Sequence, residues 1–212
     1  MNDEGLQKRI YLFIRDKRRR LVFLHTKFFC PYSFIHINKT GGSSVEKALH
    51  APLIHETALT FRDRIGKKRW NERFSFAIVR NPWDRAVSHF HYRKMTNQTG
   101  LGIASIAFKD WLKRVYLDRS PEYMNEEKMF LTQSEWVCDE QGRIMVDYIG
   151  RFENLQQSWD DICDALHREK SQLPHVKKSS RGDYRDYYDD ESREIIADFF
   201  RPDIELFDYS FE

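Results

Sequence analysis

Residues 33–38, "SFIHIN", form a short apolar run that alternates with polar side chains from Ile35 to Asn38, and they read as a strand. The pattern then changes to a helical one, which Ser43 opens with Glu46 three residues on, the spacing of a capping box. Residues 74–80, "FSFAIVR", are almost continuously apolar, as a central parallel strand covered on both faces must be. Asn81 at the N-cap, Pro82 at the first helical position and Asp84 beyond it start a helix that the pattern carries to about Lys94. Residues 95–105, "MTNQTGLGIAS", read as a mobile loop, and Phe108, Trp111, Leu112 and Val115 return at helical spacing. A further strand is predicted over 144–149, "IMVDYI", and Leu155, Trp159, Ile162, Cys163 and Leu166 form one apolar helix face. Residues 171–187 carry no regular period. Ile195, Ile196, Phe199 and Phe200 mark a further helix that should stop near Pro202, and the aromatic tail of Phe207, Tyr209 and Phe211 should fold onto the core. Strands alternating with helices predict an α/β three-layer sandwich around a mostly parallel sheet.

Composition narrows this picture little. The 212 residues suit one domain, here 1–212, with a basic N-terminal segment over 1–32. With 41% hydrophobic residues, 15% of the chain aromatic, and a formal charge of only +2, disorder is excluded and no global field calls for nucleic acid. Cys30, Cys138 and Cys163 are odd in number and far apart, so neither a disulfide framework nor a zinc cage is indicated. No apolar run nears the roughly 20 residues of a membrane span, and the charged N-terminus lacks the apolar core of a signal peptide. These features predict a cytoplasmic protein with no integral membrane segment. The cluster "RDKRRR" at 15–20 is either a solvated face or an attractor of an acidic polymer or membrane surface.

The candidate chemistry lies at two strand ends. Lys39-Thr40-Gly41-Gly42-Ser43-Ser44 joins the first strand to a helix. Glycines let a backbone approach an anion closely, and the first amides of a helix point at it with the positive end of the dipole. Lys39 and the hydroxyls of Thr40, Ser43 and Ser44 can add donors. Lysine here precedes both glycines, unlike the usual nucleotide-binding loop, where it follows the last one. At the end of the second strand, "RNPWDRAVS" places Arg80 before a helix and Ser88 two turns along it, on the side of Asn81. An arginine fork and a hydroxyl there suit a second phosphate. A ligand with two separate phosphate-type groups would use both.

The stretches "FIHINKTGGSSVE" and "FAIVRNPWDRAVSHF" together resemble the sulfotransferases that use 3′-phosphoadenosine 5′-phosphosulfate (PAPS), in particular the carbohydrate branch. The resemblance continues through "HETALTFRDRIG", "TQSEWV", "DYIGRFENL" and "YRDYYDDESREII", covering roughly 33–211. It implies a P-loop-like fold. Lys39 to Ser44 would form the 5′-phosphosulfate loop and Arg80 and Ser88 the 3′-phosphate site. Ser179 and Arg181 would lie in a late loop, "KKSSRGDY", that closes over the nucleotide. The acceptor would be an oligosaccharide or polysaccharide hydroxyl. Many eukaryotic relatives carry a Golgi anchor, which this sequence does not show; removal of an anchor would place the chain in the Golgi lumen instead.

The implied reaction is in-line transfer of a sulfuryl group, with Lys39 stabilising the leaving phosphate oxygen and a base taking the acceptor proton. His55, in "LIHETAL", is the candidate base on the expectation that 52–56 re-enters the sheet beside the cofactor strand; Glu56 and His36 are its rivals. No metal is expected. A kinase would want a magnesium-binding arrangement, and a binding module for anionic polymers would leave the paired anion motifs unexplained; an inactive relative is the remaining alternative. The sequence leaves the acceptor's identity and the oligomeric state open.

Overall fold

The computed structural model describes Phe13, Lys17 and residues 20–50, 54–104, 106–174 and 182–212. Helix α1 (residues 20–29) leads into strand β1 (Tyr32–Ile35), then helices α2 (Gly42–Leu49), α3 (Ala58–Ile65) and α4 (Lys67–Asn71). Strand β2 (Phe74–Val79) runs into helix α5 (Pro82–Met95), followed by α6 (Phe108–Leu112) and α7 (Gln133–Val137). Strand β3 (Tyr148–Arg151) precedes α8 (Leu155–Ala165), α9 (Asp190–Phe199) and α10 (Arg201–Phe207).

β2 is central, as its apolar run requires. It pairs in parallel with β1, Phe34 facing Phe76, and with β3, Ile78 facing Gly150. Alternate side chains go to opposite faces. Ile35, Ala77 and Val79 pack with Phe61, Trp70 and Trp136 from α3, α4 and α7. Phe34, Phe76 and Ile78 pack with Val45 of α2 and Trp159 and Ile162 of α8. Helices therefore cover both faces of a parallel three-stranded sheet, the α/β class expected. Gly150 has no room for a side chain: a Cβ would sit 2.6 Å from Ile78 Cδ1 and 2.8 Å from Ser158 Cβ, so glycine lets α8 lie close on the sheet. A third apolar cluster joins α5, α6 and α9 through Val87, Trp111 and Ile196.

Several boundaries differ from the pattern's prediction. β1 ends at Ile35, not at 38, because the chain turns at Asn38 and Lys39, and Lys39 takes a left-handed φ of 69°. β3 begins at Tyr148, not at 144. Just before it, the Asp147 carboxylate takes the Ser75 amide (2.8 Å) and hydroxyl (2.7 Å), while Ile144 makes an isolated antiparallel bridge with Cys138. The helix marked by Ile195 to Phe200 stops at Phe199, near Pro202 as expected, but Pro202 then opens a further helix. Pro202 sits in the first turn of α10, where its missing N–H costs no hydrogen bond. The loop after α5 is anchored, since the Arg93 guanidinium donates to Gln98 (2.9 Å) and Thr99 (3.3 Å) and Leu101 is buried.

Candidate functional site

The loop after β1 is built to expose backbone. Gly41 adopts φ 82°, open to glycine at little cost, and a Cβ on it would also strike Leu155 and Phe152 at 2.9 and 3.0 Å. α2 begins one residue earlier than expected, at Gly42, and no side chain caps it. The predicted Ser43–Glu46 capping box is absent because Glu46 turns inward, its Oε1 lying 2.9 Å from His36 Nδ1. No side chain takes the amides of Gly42 and Ser43, while the Ser44 amide bonds the Gly41 carbonyl (3.0 Å), and uncapped amides at a helix start are what an anion binds. Ser43 is half-buried beside them and Ser44 is buried. Thr40 is fully buried, and its hydroxyl donates to the Ile37 carbonyl (2.9 Å); it shapes the loop.

Lys39 rests its ammonium 4.2 Å from the centroid of the Tyr92 ring. Tyr92 stands four residues after Ser88, and Ser88 four after Asp84, so the three form one stripe on α5. Arg80, at the end of β2, enters the same place. Its Nη1 donates to the Lys39 carbonyl (3.0 Å), its Nε and Nη2 meet Asp84 Oδ2 (2.8 and 2.7 Å), and its guanidinium lies 3.8 Å from the Phe152 ring centroid. The two motifs at separate strand ends therefore meet. The predicted cap of α5 is present: Asn81 Oδ1 accepts from the amides of Trp83 (3.1 Å) and Asp84 (3.4 Å).

His55 reaches the site by another route than expected. Residues 54–57 add no strand to the sheet. The His55 ring instead lies 4.3 Å from the His36 ring, and its Nδ1 bonds the His36 carbonyl at 2.9 Å. A carbonyl only accepts, so Nδ1 carries the proton and Nε2 keeps its lone pair. Burial, with the adjacent His36, pushes the His55 pKa down to about 4. Burial and then Lys39 push His36 down to about 3, and burial pushes Glu46 up to about 7. Glu56, the rival base, is gripped by Arg64 (3.1 Å) and Lys128 (3.3 Å). His36 is buried with its Nδ1 on Glu46 and its Nε2 edge against Gly42, where a Cβ would be 2.3 Å away.

Ser179 and Arg181 lie outside the described residues. The structure adds groups that the sequence reading missed. Arg85, buried in α5, donates to Asn38 Oδ1 (2.7 Å), the Asn38 carbonyl (3.2 Å) and the Leu131 carbonyl (3.0 Å), and so clamps the loop's first turn. Gln133 bonds both backbone groups of Arg80, at 2.8 Å each, and Glu153 accepts from the Asn81 amide at 2.6 Å. Arg85 sits inside the quoted motif and Tyr92 on its helical stripe, so both carried a signal in their spacing. The partners of Gln133 and Glu153 are 53 and 72 residues away in sequence and carried none.

Helix-start amides, a lysine, an arginine and an imidazole protonated on Nδ1 thus lie around the loop after β1, groups with the chemistry to meet an anion and to accept a proton. Among the described residues no group of histidine, cysteine and carboxylate side chains is arranged to hold a metal ion. The model of the sulfotransferase family matches residues 18–210. An uncharacterized protein of Archaeoglobus fulgidus is 25% identical over 114 residues, which is 52% of this chain and 79% of that one. The crystal structure of a sulfotransferase from Alicyclobacillus acidocaldarius aligns over 85% of this chain and 79% of its own, at 15% identity and a TM-score of 0.37.

Proposed function

The chain belongs to the sulfotransferase family, an enzyme family of sulfuryl transfer, and from that premise we propose that its donor is PAPS and its acceptor a carbohydrate hydroxyl. The observation that carries the donor assignment is the Arg80–Lys39 bond, which brings two anion motifs into one site as a nucleotide with phosphate groups at both ends requires. In this reading the 5′-phosphosulfate lies on the amides of Gly42 and Ser43, with Lys39 beside it. The 3′-phosphate takes the Arg80 fork and the Ser88 hydroxyl, and Asp84 gives up its place on the guanidinium.

The acceptor oxygen attacks sulfur in line as the bond from sulfur to the bridging phosphate oxygen breaks. Lys39 and the helix amides stabilise the negative charge that grows on that oxygen. The acceptor proton passes to His55 Nε2, and 3′,5′-ADP leaves. The sugar class rests on the motifs shared with the carbohydrate branch.

Titration calorimetry with 3′,5′-ADP and 5′-AMP tests the donor. Arg80→Ala should weaken 3′,5′-ADP binding by on the order of 2 kcal/mol and leave 5′-AMP nearly unchanged. Equal affinity of the wild type for the two nucleotides would refute the 3′-phosphate site. Mass spectrometry of oligosaccharides incubated with PAPS tests the acceptor.

A further inference from the structure

Helix α1 has two apolar faces, and only one is used by the fold. Phe23, Thr26 and Cys30 are buried against the body of the protein. Leu21, Leu24 and Phe28 share the opposite face, at the i, i+3, i+7 spacing, and are 68%, 46% and 56% exposed. Phe13, at 58% exposure, falls on the same side by helical periodicity. Half of the exposed large apolar side chains of the described residues lie between 13 and 29, so this is a concentrated patch.

Its rim is cationic. Arg20 and Lys27 flank the stripe, and residues 20–29 contain no acid. α4 runs alongside: Arg73 donates to the carbonyls of Thr26 (3.0 Å) and Lys27 (2.7 Å), and the Arg69 guanidinium lies 5.3 Å from the Phe28 ring centroid. Residues 66–73 hold Lys67, Lys68, Arg69 and Arg73 against the single acid Glu72. For a chain whose whole formal charge is +2, this is a strong local excess.

We propose that the α1–α4 face is a docking surface for an anionic lipid bilayer, into which Leu21, Leu24 and Phe28 insert at headgroup depth while the lysines and arginines engage lipid phosphates. The mixed chemistry selects this occupant. An acidic polymer in water would use the cations and leave the leucines and phenylalanine exposed. A second copy of the chain would oppose one basic rim with another. An anionic bilayer satisfies both sets of side chains at once. The surface is independent of the donor assignment above.

Co-sedimentation of the full chain with vesicles tests this, using phosphatidylcholine alone and phosphatidylcholine mixed with phosphatidylglycerol. The chain should pellet with the mixed vesicles only, and added salt should release it. Lys67→Gln and Arg69→Gln should each lower partitioning about fivefold. The pair Leu24→Gln and Phe28→Gln should lower it tenfold or more by removing the inserted apolar area. All four positions are at the surface, so melting curves should match the wild type and establish that the variants are folded. Failure to pellet with mixed vesicles at low salt would overturn the proposal, as would equal pelleting with both kinds. If the leucine–phenylalanine pair pelleted like the wild type while the charge variants did not, the contact would be electrostatic alone, as for an acidic polymer, and insertion would be wrong. If light scattering showed a dimer that the pair converted to a monomer, the occupant would be a second copy.

Discussion

His55 has one nitrogen committed to the His36 carbonyl and one free, and that division decides what it can do. A neutral ring held in a single tautomer keeps an Nε2 lone pair available across the neutral range, whereas Glu56 would first have to leave Arg64 and Lys128. His55→Ala should lower turnover by about a hundredfold or more, the scale of a general base, with 3′,5′-ADP affinity nearly intact. Turnover within about threefold of wild type would move the base elsewhere. The pH profile sharpens the assignment. In the proposed mechanism activity needs the neutral imidazole and is lost as pH falls through its pKa. Since burial sets that value at about 4, kcat/KM should hold through the ordinary histidine range and fall only near pH 4. An acid limb at the ordinary 6.5 would mean that the residue seen is not the buried His55.

Helix α2 shows how one element serves both fold and site. Its inner face packs Val45 and Leu49 below the sheet, and its N-terminus is pressed against His36 so closely that Gly42 admits no side chain. Gly42→Ala would place a Cβ 2.1 Å from His36 Cδ2, and the ring cannot yield, being held by Glu46, Phe34 and His55. The substitution should cost about 1–3 kcal/mol in a denaturant melt and weaken anion binding with it; a melt equal to wild type would show that the ring has room to move. The glycine itself was legible in the sequence, as were the order of strands and helices, the cap at Asn81 and the apolar run of β2. These depend on local spacing, which a single chain displays. The inward turn of Glu46 was not legible, because the same Ser–x–x–Glu spacing serves a capping box and a glutamate drawn off to a histidine ten residues earlier. Nor was the true path of His55, since the bond that fixes it is to a backbone carbonyl, which sequence does not distinguish. Arg80 was read as a phosphate fork, yet the Asp84 one turn later already occupies two of its nitrogens, and i, i+4 spacing could have shown it.

At the scale of the whole molecule, the buried histidines tie stability to acidity. His36 and His55 have folded-state values near 3 and 4, below the 6.5 of the unfolded chain. As pH drops below about 6.5, the unfolded chain takes up protons that the folded one refuses, and stability falls. Glu46, raised from 4.5 to about 7, acts in the opposite sense between those values, but the buried His89, also held well below 6.5 by burial, adds to His36 and His55, and the histidines outweigh it. Melting temperature should therefore decline from pH 6.5 toward 4.5, less steeply in His55→Gln. A flat profile in the wild type would show that the rings are solvated. The chemistry should also proceed without a metal ion, because the sulfuryl group carries less charge than a phosphoryl group and Lys39 with the α2 amides can meet it. Activity lost in EDTA and restored by magnesium would contradict this. The hydrogen bond from Arg80 to the Lys39 carbonyl has a last consequence, for fidelity. Under the proposed donor mode, moving the arginine onto a phosphate at one end of a donor would shift the backbone that carries the lysine at the other, and the two ends would be thermodynamically linked. In the proposed binding mode a nucleotide lacking one phosphate would forfeit alignment as well as affinity, and it should be rejected twice, once in binding and again in turnover.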